Sequence, residues 1–240
     1  MRLLIVLSIV FFSCGAKDKT IATQPDEQLE TEIGDLEATI IASGKEVVLS
    51  TNYGDITIIL YDETPLHQAN FIKLVNESFY DDLLFHRVIN YFMIQGGDPN
   101  SRGASAETRL GGGGPGYTVP AEFNSKFIHK KGALAAARNN NPQKESSGSQ
   151  FYIVHGKKLN EADINSAEAR IAQKNPGFKY SKEQRNELLE NGGTPFLDME
   201  YTVFGEVTSG LNVIDLIAKV ATASGDRPLE DVKMSIKMSK

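Results

Sequence analysis

Residues 85–98 read FHRVINYFMIQGGD and set one fixed positive charge among large apolar side chains. Arg87 is the charge, and Phe85, Val88, Ile89, Tyr91, Phe92, Met93 and Ile94 surround it. A strand formed here presents a guanidinium beside an aromatic and sulfur-rich wall. Gln95 adds a neutral polar group, and Gly96-Gly97-Asp98 then turns the chain. An unpaired guanidinium is expensive to bury, which leaves two placements for Arg87. It either stands at the rim of an apolar pocket or lies on an edge strand with its stem on apolar surface and its head in water. On this stretch alone the second, plainer placement is the default.

Working outward, residues 47–51 and 55–61 are β-rich runs around Asn52-Tyr53-Gly54, which predicts a hairpin. Thr64-Pro65 predicts a helix N-cap followed by proline at the first helical position, with Phe71, Leu74 and Val75 at helical spacing to about Asn76. Residues 85–89 and 92–95 are expected as strands, and 118–119 as a short extended piece ended by Pro120. Residues 132–137 are small and apolar, 139–148 form a polar loop, and 149–154 (SQFYIV) read as a strand. Another strand is expected over 201–207, then a helix capped by Ser209 and carrying Val213, Ile214 and Ile217, then a last alternating strand over 232–238. Many strands with two well-separated helices predict a mainly β fold, an antiparallel sheet or barrel with helices covering its ends.

One segment breaks that rhythm. Over about 159–193 the pattern is helical: Ile164, Ala167 and Ile171 share a face, and Asn175-Pro176-Gly177 interrupts the chain. A second helix starts at Ser181 with Gln184 completing a capping box, carries Leu188 and Leu189, and stops at Gly192-Gly193. This is an inserted helical hairpin between two strands, in its plainest form decoration on the sheet.

The 240 residues suffice for one sizeable core with appendages. A net charge of -6 argues against general nucleic-acid binding, which needs a basic face. The single cysteine, Cys14, excludes an intramolecular disulfide and any cysteine-based zinc site. Met1-Arg2, the apolar run 3–12 and the small Ser13 before Cys14 read as a signal peptide over 1–13, too short to span a bilayer. The segment resembles a bacterial lipoprotein signal, with Cys14 as the lipidated first residue of the mature chain; Phe11 stands where leucine is usual. Residues 14–44 are polar and acidic and read as a flexible tether, with the folded domain expected over 45–240. The expected location is that of an exported lipoprotein, periplasmic or cell-surface, anchored through Cys14.

Familiar reaction centres are missing from the sequence. There is no HExxH, GxSxG or SxxK, and the four histidines show no ligand spacing, so no metal site is expected. GGGGPG at 111–116 fits a dinucleotide fingerprint only formally, since no strand precedes it and Pro120 bars a helix after it; it reads as a flexible surface loop. What remains is Arg87 among aromatics, Met93 and Gln95, a set suited to holding an apolar group with one polar contact.

FHRVINYFMIQGGD, GGGGPGYTVPAEF (111–123), GALAAAR (132–138), GSQFYI (148–153) and FLDMEYTVFGEV (196–207) resemble, in order, the signature blocks of the cyclophilin peptidyl-prolyl isomerases. The resemblance covers about 45–240 apart from the helical insertion. It implies a closed eight-stranded antiparallel barrel capped by two helices, acting on proline-containing polypeptides as a monomer without a cofactor. It makes Arg87 the catalytic arginine. Phe92, Met93, Tyr152 and Leu197 would line the proline pocket, Gln95 would contact the substrate backbone, and His86 and Gln150 would support the site. Ala137 and Arg138 would lie along the peptide groove. Compared with the best-known eukaryotic pattern, Tyr152 replaces phenylalanine, Phe196 tryptophan and Tyr201 histidine, which keeps an aromatic wall but lowers the expected affinity for cyclosporin. The alternative reading is a membrane-anchored binding module or chaperone for proline-containing segments, in which turnover is secondary.

Overall fold

The structure is a computed structural model that describes residues 44–239. The signal peptide, Cys14 and all but the last residue of the expected tether lie outside the described residues.

Eleven strands and four α-helices alternate along the described residues. The chain opens with the expected hairpin: β1 (Gly44–Thr51) pairs antiparallel with β2 (Gly54–Tyr61) across a two-residue turn, Thr51 facing Gly54. Helix α1 (Pro65–Asn76) follows. Thr64 precedes it as expected but its side chain makes no cap; Glu122, distant in sequence, accepts from the Leu66 and His67 N–H groups at 3.0 and 2.9 Å. A carboxylate there suits the positive end of the helix.

Next come β3 (Leu83–Leu84), β4 (Arg87–Ile89), β5 (Met93–Gly96), β6 (Thr118–Val119), β7 (Ala133–Ala136), β8 (Ser146–Ser147) and β9 (Phe151–Val154). The insertion supplies α2 (Glu161–Lys174) and α3 (Lys182–Asn191), each started by a reciprocal capping box, Asn160 with Asp163 and Ser181 with Gln184. The chain ends with β10 (Val203–Ser209), α4 (Leu211–Ile217) and β11 (Lys233–Met238). Ser209 does not cap α4. It ends β10, and Gly210 in the left-handed conformation (φ 92°) turns directly into the helix.

The main sheet is antiparallel and nine-stranded, in the order β3-β11-β1-β2-β10-β7-β9-β5-β4. It curls but does not close, so the expected closed eight-stranded barrel is corrected. Its terminal strands, β3 and β4, are successive pieces of one chain segment separated only by Phe85-His86. In place of each other they meet loops: the Leu84 N–H donates to Ser101 Oγ (3.0 Å), Phe85 N–H to the Val232 carbonyl (2.9 Å) and Val88 N–H to the Asp226 carbonyl (2.8 Å). Two helices cover the sheet as expected, and the two of the insertion bring the described total to four.

Alternation along the strands divides the apolar residues between two faces. Ile94, Leu134, Ala136, Phe151 and Ile153 join the core packed under α1 and α4. Their neighbours Met93, Ala133, Ala135, Tyr152 and Val154 form a second apolar face on the other side. The insertion packs its own cluster, Leu159, Ile164, Ala167, Ile171, Phe178, Tyr180 and Leu188, against Ile128.

Candidate active site

Register builds the site. Arg87 on β4 faces Gln95 on β5, Gln95 faces Tyr152 on β9, and Tyr152 faces Ala135 on β7, so the four side chains stand in one row on the second apolar face. Around the row, Arg87, Phe92, Met93, Gln95, Ala137, Arg138, Tyr152, Leu197 and Tyr201 line one pocket of about 170 Å³. Of the twelve catalytic and substrate-binding residues singled out in the sequence, nine therefore share a single concavity.

Arg87 is half exposed and pairs through Nε with Asp226 Oδ2 at 3.2 Å, a contact that uses neither of its two Nη groups. Asp226 was not legible in the sequence: it lies in a loop far from Arg87 and holds a left-handed backbone (φ 63°). The Gln95 amide donates to Gln150 Oε1 (3.0 Å), and this orientation leaves its own carbonyl oxygen for a backbone N–H. Arg138 is fixed by its side chain: Nε donates to the Glu200 carbonyl at 3.1 Å, and the guanidinium covers the Tyr201 ring at 4.6 Å. Burial pushes the Glu200 carboxyl up, yet hydrogen bonds from Lys174 and Lys144 outweigh it and hold it below the usual range.

The Tyr152 hydroxyl, an addition to the best-known pattern, is partnered. It lies 2.9 Å from His129 Nε2, whose Nδ1 lies 2.6 Å from Asp198 Oδ1; the Tyr180 hydroxyl donates to Asp198 Oδ2 at 2.6 Å. All four residues are buried. Since Nδ1 faces a carboxylate, the network assigns the proton there, and Nε2 accepts from Tyr152. The chain runs from the pocket floor into the insertion, because Tyr180 sits between α2 and α3. Burial raises the pKa of both phenols, so they remain donors.

Three of the expected residues stand elsewhere. His86 does not reach the pocket; it is buried beneath the glycine loop near Gly111, and burial pushes its pKa down to about 4 against the attraction of Asp98. Gln150 lies behind Gln95 and lines a neighbouring groove of about 550 Å³ with the loop 111–116. That loop is fixed: Asp98 accepts from the Gly111 and Gly113 N–H groups, and Gln150 Nε2 donates to their carbonyls at 3.0 and 2.7 Å. The loop expected to be flexible is thus anchored at Gly111 and Gly113, whose N–H groups satisfy the buried Asp98 carboxylate. Phe196 leaves the pocket altogether, stacks on Phe92 with centroids 5.7 Å apart, and lines a third concavity.

One other arrangement looks catalytic. Glu122 Oε2, His67 and Ser146 Oγ align at 2.6 and 3.0 Å like a nucleophile triad, but Ser146 is buried and lines none of these concavities. It ties α1 to β8. Among the described residues no group of three His, Asp or Glu side chains is placed to hold a metal ion.

On this curled antiparallel sheet a half-exposed guanidinium thus stands at an apolar, aromatic-walled pocket. The profile of the cyclophilin type peptidyl-prolyl cis-trans isomerase/CLD family matches residues 46–238. A candidate peptidyl-prolyl cis-trans isomerase of Staphylococcus haemolyticus is 35% identical over 206 residues, 85% of this chain and 92% of that one. A candidate bifunctional phosphatase/peptidyl-prolyl cis-trans isomerase of Streptococcus pyogenes is 37% identical over 193 residues; the match spans 79% of this chain but 37% of that relative's length. The fold is that of a crystal structure of a Cryptosporidium parvum cyclophilin type isomerase, with TM-score 0.60 and 22% identity over 82% of this chain and 98% of that one. A second crystal structure of that protein was obtained in the presence of the dipeptide Ala-Pro. The chain belongs to the cyclophilin-type peptidyl-prolyl cis-trans isomerases and is an isomerase of that kind.

Proposed function

We propose that the chain accelerates exchange of X-Pro bonds in exported polypeptides, with Arg87 stabilising the twisted amide beside a proline pocket walled by Phe92, Met93, Tyr152 and Leu197. The observation that carries this reading is the single row of Arg87, Gln95 and Tyr152 across three strands. Amide resonance sets a barrier of about 18–20 kcal/mol. As the bond twists, the proline nitrogen regains its lone pair and becomes an acceptor. A guanidinium held by Asp226 through Nε keeps its Nη donors for that nitrogen and makes the interaction only in the twisted state. Gln95 accepts from the substrate backbone while the apolar walls hold the ring. A donor of this kind supplies about two to three powers of ten in rate at ~1.36 kcal/mol each.

Cis-trans exchange of an Ala-Pro peptide, followed by NMR, tests the role of Arg87. Arg87→Ala is expected to lose about two to three powers of ten in catalysed rate while the walls keep most of the affinity; equal rates overturn the mechanism. Loss of rate together with unimpaired client protection in cells would favour the alternative, a holder of proline-containing segments. The lipoprotein signal supports the same setting, with Cys14 as anchor: Cys14→Ala should release the protein from the membrane fraction, and unchanged fractionation refutes the anchor.

A further inference from the structure

The concavity that took Phe196 out of the proline pocket has about 350 Å³ and is built jointly by the sheet and the insertion. Tyr91, Phe92 and Phe196 form one side, and Leu159, Ala167 and Pro195 supply more apolar surface. Phe92 belongs to both concavities, so the two are neighbours that share one ring. Two features mark the wall as formed for contact. Tyr91 is 66% exposed and Phe196 41%, although each could bury its ring more cheaply in a core. Tyr91 also holds a left-handed backbone (φ 61°), fixed by its N–H donating to His155 Nδ1 at 2.9 Å. On the insertion side, Arg170 is occupied by the Phe196 carbonyl, and Lys157 stands 3.8 Å from Asp163 at the rim. The charges are thus engaged with one another or with backbone, and the open surface is apolar.

We propose that this concavity is a second substrate subsite, built by the insertion, which takes an apolar side chain of the same polypeptide whose proline occupies the first pocket. The inference rests on the reading of the Arg87 pocket as a proline site. Phe92 lines both concavities, so they are neighbours, and an extended chain advances about 3.3 Å per residue; the side chain therefore belongs to a residue within a few positions of the proline. The insertion thereby sets sequence preference around the proline, and the catalytic step stays with the sheet.

The test uses the full-length chain and two kinds of labelled peptide, titrated by NMR. One kind carries a proline flanked only by alanines; the other adds a leucine within a few residues of the proline, on either side in turn. One of the leucine peptides is expected to bind about tenfold tighter, ~1.4 kcal/mol, and to shift the Phe196 and Arg170 amides. Ser166→Trp, at an exposed position of α2 on the rim, should erase that gain by filling the concavity. Equal affinities, with shifts confined to Phe92, Met93 and Tyr152, overturn the subsite and leave the proline pocket standing. Absence of shifts at Phe92 and Tyr152 with every peptide overturns both.

Discussion

Tyr180→Phe removes one hydroxyl and nothing else from the buried chain that joins the insertion to the pocket floor. Asp198 Oδ1 accepts from the His129 N–H and Nδ1 at 2.7 and 2.6 Å, but among the described residues only Tyr180 donates to Oδ2. Asp198 is 3% exposed, so water does not replace the lost donor. A buried hydrogen bond to a carboxylate contributes about 1.5–3 kcal/mol, and the retained ring keeps the apolar contacts, so the loss should fall in that range. Tyr152→Phe strands His129 Nε2 in the same way, at about 1–3 kcal/mol. Because the two hydroxyls act on one His129–Asp198 pair, the double variant should be less destabilised than the sum by at least about 0.5 kcal/mol. Urea unfolding of the four proteins closes the cycle, with heat denaturation as a check at about 2–4 °C per kcal/mol. A Tyr180→Phe protein within about 0.5 kcal/mol of the parent, or strict additivity, refutes the idea that the chain acts as a unit.

His86 makes stability depend on acid. Its folded pKa of about 4 lies below the ordinary value near 6.5, so between these the unfolded chain binds more protons and stability falls as pH falls, by about 3 kcal/mol across the window. His67 and His155 are shifted in the same direction by burial and steepen the fall. Urea unfolding from pH 7 to 4 should show a shallower slope in His86→Leu; an identical slope refutes the assignment. Asp226→Asn should leave stability within about 1 kcal/mol, since the pair with Arg87 is more than two-fifths exposed on both sides. It should nonetheless slow catalysed exchange about tenfold by freeing the guanidinium, and an unchanged rate would show that Asp226 does not orient it.

How much of this was legible varies with how local the cause is. The hairpin around Asn52-Tyr53, the Ser181–Gln184 capping box and the apolar stripe of α2 follow from neighbours in sequence, and the structure repeats them. The row of Arg87, Gln95 and Tyr152 needed the resemblance, because register between β4, β5 and β9 is set by distant pairing. Glu122 capping α1, Asp226 holding Arg87 and Asp98 gathering the glycine loop were hidden for the same reason: each is an ordinary acidic residue until the fold brings its partner. Phe196 was misplaced because aligned blocks carry residue type but not which side of Phe92 a ring will take. Its displacement follows from the insertion, which offers it Arg170 and a second apolar wall.

The uncoupled ends of the main sheet have a further consequence. An isomerase works among extended chains, and any such chain is a ready strand for an unpaired ladder. Here the outward N–H groups of both terminal strands are already committed, Leu84 to the Ser101 hydroxyl and Val88 to the Asp226 carbonyl, on strands of only two and three residues. Neither offers the length or the donors for strand addition, so neither end is a template on which an extended chain can pair. Asp226 acts twice on β4: its carboxylate pairs with Arg87 while its backbone carbonyl occupies the Val88 N–H.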